Sequence, residues 1–84
     1  MGIDQAVREL RQNLQQSQEK FAEVVGVERD AISEWELGRA RPKRVAVRLR
    51  LVALARVARH QGRLSEEAFE RLCAIPPPAG SHRF

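Results

Sequence analysis

The stretch SQEKFAEVVGVERDAISEWELG, residues 17–38, predicts a short helix, a tight turn and a second short helix. Ser17 can cap the first helix, because its hydroxyl can accept a hydrogen bond from a backbone N–H of the first turn. The apolar positions that follow share one helical face: Phe21, Ala22 and Val25. Gly26 comes directly after them and can take the left-handed conformation that ends a helix.

The second helix of this pair has few apolar positions, namely Ala31, Ile32 and Trp35. Trp35 is in helical register with Ile32, so we expect both side chains in the core. The opposite face consists of polar and charged side chains: Glu28, Arg29, Asp30, Ser33 and Glu34. Such a face must meet water or a partner.

The spacing of these residues resembles the helix-turn-helix of the lambda-repressor-like family of phage repressors, bacterial regulators and antitoxins. The resemblance covers roughly residues 5–55 and rests on four groups of positions: Gln18-x-x-Phe21-Ala22, Gly26-Val27, Ile32-Ser33-x-Trp35-Glu36-x-Gly38, and Pro42. It implies an all-helical domain of five or so helices. It also implies that the second helix of the motif enters the DNA major groove, commonly in a symmetric dimer.

Size and composition favour one small helical domain. The chain has 84 residues, three Phe, one Trp and no Tyr, so its core must consist mainly of aliphatic side chains. The single Cys73 excludes an intramolecular disulfide and predicts a reducing, cytoplasmic setting. We find no signal peptide or membrane-spanning stretch in the sequence and predict no membrane association.

The charge is unevenly distributed along the chain. The net charge is +4, but residues 1–38 carry four basic and eight acidic groups, whereas residues 39–63 carry nine basic groups and no acid. The basic stretch therefore begins where the helix-turn-helix ends.

Three further helices complete the prediction. Ile3, Val7, Leu10 and Leu14 recur at helical spacing and predict a first helix from about Asp4 to Gln15. A long fourth helix should run from Lys43 to His60, opened by Pro42 and ended by Gly62. A fifth, over about 66–74, should be capped by Ser65 and lie on the long helix.

The predicted fold class is thus all-α, a lambda-repressor-like helix-turn-helix bundle of about five helices. We expect the domain to span residues 1–75, with the motif at about 17–37. The three prolines at 76–78 should end regular structure and leave residues 76–84 as a mobile tail.

The long helix is apolar over more than half of its circumference, which exceeds the roughly 100° that a surface helix needs. Its additional contact could be the last helix, a second copy of the chain, or both. We predict a homodimer and assign its surface to one stripe of the helix: Val47, Leu51, Leu54 and Ala58.

The resemblance also implies roles for individual residues. Base contacts fall to Arg29, Asp30, Ser33 and Glu34. Phosphate contacts fall to Ser17, Gln18, Arg39, Arg41, Lys43 and Arg44. Arg11 and Glu36 match positions that form a structural ion pair between the first and third helices.

The chemistry of base contact is allowed, because arginine can bond guanine through two hydrogen bonds and a carboxylate can accept from the cytosine amino group. However, Glu28, Asp30 and Glu34 would bring three carboxylates near a polyanion. The alternative is that this face is solvated or binds a protein. For the basic loop after the motif, the alternative to phosphate contact is a solubilising role.

Nothing in the sequence assembles a nucleophile, an orienting base and an oxyanion site. His60 and His82 have no partners at metal-ligand spacing, and no glycine-rich phosphate loop occurs. We therefore predict no enzyme, no cofactor and no metal site.

The leading hypothesis is a sequence-specific double-stranded DNA-binding transcriptional regulator, of the repressor or antitoxin type, which reads an operator with the second helix of the motif. Its partners would be DNA, a second copy and, for an antitoxin, a toxin or other regulator. The rival hypothesis is a protein-interaction module, an adaptor or assembly factor, whose acidic helix binds a protein.

Overall fold

The computed structural model describes residues 1–74. This part of the chain forms five α-helices and contains no strand. In chain order they are α1 Ile3–Asn13, α2 Gln18–Val25, α3 Arg29–Glu36, α4 Val45–His60 and α5 Glu66–Cys73. The predicted all-α bundle with a long fourth helix is confirmed. The tail predicted for residues 76–84 lies outside the described residues.

Helix α1 is the centre of the bundle, because it packs against α3, α4 and α5, while α2 packs on α3 and α4. Each helix contributes at least one fully buried aliphatic or aromatic side chain to a single core, including Leu10, Phe21, Ile32, Leu51 and Leu72. Trp35 belongs to the same core, as predicted. The core therefore fixes all five helices together.

Local capping signals mark most of the helix ends where the sequence predicts them. Ser17 Oγ accepts a hydrogen bond from the Lys20 backbone N–H at 3.0 Å, and Ser65 Oγ accepts from the Ala68 N–H at 3.1 Å. Gly26 ends α2 with a left-handed φ of 89°, and Gly62 follows α4 with a φ of 73°. Interactions within four residues are thus sufficient to place these ends.

The start of α4 differs from the prediction. The helix begins at Val45 instead of Lys43, and Pro42 does not open it. The Pro42 side chain is fully buried, and Arg44, the N-cap residue, is still extended with φ −73° and ψ 138°. The proline therefore anchors the connection between α3 and α4 to the core, and the helix begins three residues after it.

The dimer surface predicted on α4 is wrong. Val47, Leu51 and Ala58 are at most 5% exposed in the chain's own core, and Leu54 is partly buried against it. In so small a domain, the long helix must cover α1, α2 and α5, and this stripe does so. The exposed apolar side chains of α4 lie on its other side, which includes Leu49 and Val57.

Helix α5 lies on α4, as predicted, and it also packs against α1. Glu9 of α1 accepts hydrogen bonds from the backbone N–H and hydroxyl of Ser65, at 2.8 and 3.2 Å. The amino terminus of Met1 lies 3.0 Å from Glu67, and Arg71 donates to the Met1 carbonyl at 2.9 Å. These polar contacts hold the first and last described helices side by side.

One carboxylate joins α1, α2 and α3. Glu36 is only 4% exposed, and its side chain accepts from Arg11 at 2.6 and 3.1 Å and from Gln18 at 3.1 Å. Arg8 donates to the Glu36 backbone carbonyl at 2.9 Å. The Arg11–Glu36 ion pair implied by the family resemblance is therefore present, within a larger network.

This network sets the ionisation of Glu36. Burial by itself would raise the pKa of the carboxyl group. The hydrogen bonds from Arg11 and Gln18, together with the positive charges of Arg11 and Arg8, outweigh burial and lower the pKa below its ordinary value of 4.5. The carboxylate is thus held ionised among the helices that it joins.

We predict that Glu36→Gln lowers the free energy of unfolding by about 3 kcal/mol at pH 7, because it leaves the partly buried Arg11 guanidinium without its counter-charge. Folding lowers the pKa of Glu36, so the wild-type advantage is present above the unfolded-state pKa and is lost as the pH falls through the folded-state value. Urea unfolding followed by circular dichroism should therefore show the two proteins converging in acid.

The matched control is Glu34→Gln, the same change on the same helix at a side chain that is 44% exposed. It should alter stability by less than about 0.5 kcal/mol. Equal losses of unfolding free energy in Glu36→Gln and Glu34→Gln would contradict the role given to this network. A loss in Glu36→Gln that is the same at neutral and acid pH would also contradict it.

Gly26, in the turn between α2 and α3, can be compared with Gly62, which follows α4. Gly26 and Gly62 both have positive φ, so alanine costs backbone strain of about 1 kcal/mol at either site. A Cβ on Gly26 would also collide with the Arg50 guanidinium, whereas a Cβ on Gly62 would meet nothing within 4 Å. Arg50 donates a 3.3 Å hydrogen bond to the Val25 carbonyl, which the collision would break.

Gly26→Ala should therefore be more destabilising than Gly62→Ala by about 1 kcal/mol, the usual contribution of one hydrogen bond. Chemical denaturation midpoints measure the difference. In an Arg50→Ala background the two alanine substitutions should have equal effects. A difference that persists there would mean that Arg50 is not its cause.

Candidate nucleic-acid interface

The polar face of α3 is presented outward because its other face is held in the core. Ile32, Trp35 and Glu36 are buried, so the helix cannot rotate about its axis without breaking those contacts. Arg29 and Asp30 are exposed at the start of the helix, and Ser33 and Glu34 are half-buried further along. The four side chains predicted to contact bases thus lie on the accessible side of one fixed helix.

Two of the three carboxylates on this face have basic neighbours. Asp30 lies 3.8 Å from the Arg29 guanidinium, and Glu34 lies 3.7 Å from Arg39. Exposed pairs at these distances contribute less than about 1 kcal/mol to stability, so a ligand can separate them easily. They do reduce the negative potential of the face, which weakens the electrostatic objection to a polyanionic partner. Glu28 forms no ion pair with another residue of 1–74.

The connection between α3 and α4 carries unpaired positive charge. Arg41, Lys43 and Arg44 are exposed and form no ion pair or side-chain hydrogen bond with any residue of the described chain. Arg39 differs, because it is paired with Glu34. Three of the four basic residues predicted for phosphate contact therefore keep their charges free for an external anion.

A shallow cleft of about 630 Å³ is lined by one of the four residues predicted for base contact and by three of the six predicted for phosphate contact. Its floor includes Val27, Ala31 and Trp35, from the turn before α3 and from α3 itself. Glu28 and Asp30 line it together with Arg41, Lys43 and Arg44. The start of α3 and the basic connection are thus neighbours on one surface.

Ser17 and Gln18, at the start of α2, are partly occupied by contacts inside the chain. The Ser17 hydroxyl accepts from Lys20, which leaves its own hydrogen available to donate. The Gln18 amide donates one N–H to Glu36 and retains a second. Both residues can still donate to a phosphate, and Gln18 has an additional structural role that the sequence did not reveal.

Two arginines that position the site were not predicted from the sequence. Arg8 reaches the last residue of α3 from α1, and Arg50 reaches the Val25 carbonyl at the end of α2 from α4. A positive side chain at a helix C-terminus is a known stabilising arrangement. No sequence signal shows which helix end a distant arginine will meet, because that depends on tertiary packing.

Other kinds of site find little support in residues 1–74. No group of three or more His, Cys, Asp or Glu side chains converges there in a way that could hold a metal ion. None of the five helices combines the length and the apolar content needed to span a bilayer. The exposed polar face of α3 and the basic connection remain the best-defined candidate site.

Comparison with known families agrees with the helix-turn-helix resemblance found in the sequence. The family model described as helix-turn-helix, of the lambda-repressor-like type, matches residues 6–48, slightly more than half of the chain. This range runs from α1 to the first turn of α4 and contains the whole candidate site except Arg50. Neither the curated proteins nor the solved structures give a match. The chain therefore belongs to the lambda-repressor-like helix-turn-helix family, a DNA-binding and non-enzymatic family.

Proposed function

We propose that the protein is a sequence-specific transcriptional regulator, of the repressor or antitoxin type, that places α3 in the major groove of double-stranded DNA. The observation that carries the proposal is the position of three unpaired cations, Arg41, Lys43 and Arg44, beside the exposed polar face of a helix fixed by the core. Phosphate contacts position a protein on the duplex, and side chains in the groove read the bases.

The roles within the site follow from side-chain chemistry. Arg41, Lys43 and Arg44 contact phosphates, with Arg39 released from Glu34 to join them. Arg29 donates to guanine, and Asp30 or Glu34 accepts from the amino group of cytosine. Ser17 and Gln18 donate to a phosphate at the start of α2, where the backbone N–H groups of the first turn also favour an anion.

The homodimer stays a prediction, now without an assigned surface, because the stripe chosen for it is buried in a single chain. A symmetric dimer would place its two α3 helices in successive major grooves about 34 Å apart and would read a palindromic operator. A regulator of this kind acts where the chromosome is, so a cytoplasmic location belongs to the same proposal.

The charge reversal Arg41→Glu should weaken binding to duplex DNA by at least about tenfold, since it replaces attraction to a phosphate with repulsion. The slope of log affinity against log salt should also become less steep by about 0.9 for each phosphate that the variant no longer neutralises. Fluorescence anisotropy with a labelled duplex of about 20 base pairs, between roughly 50 and 200 mM salt, measures both quantities.

Arg63→Glu is the matched control, because Arg63 is exposed and lies beyond the far end of α4, a helix about 24 Å long. It makes the same change in net charge and should reduce affinity by no more than about twofold. Equal reductions in both variants would show that only the overall charge matters. No binding to any duplex at low salt would favour the rival hypothesis, an acidic interaction module.

Arg29→Ala should change sequence preference, not only affinity. Removing a pair of hydrogen bonds to guanine removes about 1–3 kcal/mol of discrimination at one base position. Selection from a random duplex library by wild type and variant would show the relaxed position directly. Arg41→Ala provides the comparison, since removing a phosphate contact should weaken all sequences alike and leave the selected site unchanged.

A further inference from the structure

Helix α4 has an exposed apolar surface that the DNA-binding proposal does not use. We define its outer face as Val45, Ala46, Leu49, Ala53 and Val57, all exposed. Leu49 is 64% exposed, more than any other large hydrophobic side chain among residues 1–74, and Val45 and Val57 are 54% and 52% exposed. The face extends along most of a 16-residue helix, about 24 Å.

A groove adjoins this face where α4 meets α5. It has a volume of about 190 Å³ and is lined by Val45, Leu49 and Val52 of α4 and by Leu72 and Cys73 of α5, together with Arg48. The groove continues the outer face, because Val45 and Leu49 belong to both. A groove of this volume between two helices can accept an aliphatic side chain of a third helix.

The charged side chains that α4 itself contributes beside the outer face are all positive. Helix α4 contains four arginines and no acidic residue. Arg59 is neutralised by Glu66 at 2.9 Å, but Arg48 and Arg56 form no ion pair with any described residue. The Nε of Arg48 is buried and has no hydrogen-bond acceptor within residues 1–74. The face therefore combines unburied aliphatic side chains with cations that have no internal counter-charge.

We propose that the outer face of α4 binds an acidic amphipathic helix of a second protein. Leucine-like side chains of that helix would cover Leu49 and fill the groove between α4 and α5, and its carboxylates would pair with Arg48 and Arg56. This is the helix-in-groove mode of recognition, with charges that select the partner. It adds a protein partner to the DNA-binding activity and does not depend on it.

Charge complementarity decides against a second copy of the chain. Two α4 helices placed face to face would oppose arginines with arginines, with no carboxylate on either helix to separate them. Like charges brought together at an interface are unfavourable, and their desolvation adds to the cost. An acidic helix removes this cost and buries the same apolar area.

The shape of the surface decides against a lipid bilayer. A helix that lies in a membrane interface presents a convex apolar side. Here the outer face borders a groove, and Arg56, which is exposed and three residues after Ala53, shares this side of α4. A protein helix can fit side chains into the groove and place a carboxylate at Arg56, which a flat lipid surface does not do.

The test uses a labelled synthetic helical peptide of about 16 residues, with leucines at heptad spacing on one side and glutamates flanking them. Fluorescence anisotropy against the full chain should show binding. The same peptide with lysines in place of the glutamates should bind at least about tenfold more weakly. NMR shift changes on binding should be largest at Leu49, Val52 and Leu72.

Leu49→Ser should weaken binding of the acidic peptide by at least about tenfold, the usual consequence of removing a buried leucine side chain. The matched control is Leu37→Ser, because Leu37 is similarly exposed, at 55%, but lies outside α4. It should leave binding unchanged. Both substitutions are at exposed positions, so circular dichroism should show intact folds.

Three results would overturn the proposal. The first is equal binding, or no binding, of the acidic and basic peptides. The second is concentration-dependent dimerisation in sedimentation equilibrium that Leu49→Ser abolishes, which would assign the face to a second copy. The third is co-sedimentation with vesicles of phosphatidylcholine and phosphatidylserine that depends on Leu49, which would assign it to a membrane.

Discussion

The buried carboxylate of Glu36 is the constraint on which the arrangement of the first three helices depends. A buried charge is stable only when it is paired and fully hydrogen-bonded, so Arg11 and Gln18 must stay within bonding distance of it. Those two residues belong to α1 and α2, whereas Glu36 ends α3. Apolar packing alone would tolerate small shifts between these helices. The ion pair restricts them, and it thereby sets the direction in which the polar face of α3 points.

A helix as short as α3 could not hold that direction alone. Its eight residues are fewer than an isolated helix needs to be stable in water, so its structure comes from packing. Ile32 and Trp35 supply the apolar contact and Glu36 the polar one, all on the same side. Pro42, also buried, fixes the connection that follows. The exposed polar face and the basic connection are therefore held rigidly next to each other, which is what recognition of a regular double helix requires.

The features that were predictable from the sequence are those decided by neighbours along the chain. The caps at Ser17 and Ser65 and the left-handed Gly26 depend on residues within one turn, and all three are where the sequence predicts them. The apolar pattern of α4 was less informative than these local signals. It shows that more than half of the helix is apolar, but it does not show which apolar stripe packs in the core and which is exposed. The contacts of Arg8 and of Arg50, made across the fold, had no local signal at all.

The distribution of charge separates two surfaces of different chemistry. Around α3, acidic and basic side chains alternate, and the excess of positive charge lies in the connection to α4. Along α4 the charged side chains are all arginines, and they are interleaved with exposed aliphatic side chains. A phosphate backbone needs cations but gains nothing from exposed Leu49, since its oxygens are charged and hydrated. A surface that offers both cations and aliphatic groups is complementary to a ligand with carboxylates and an apolar stripe. The two surfaces therefore fit different partners, and one small bundle has room for both because its core uses only the inner half of α4.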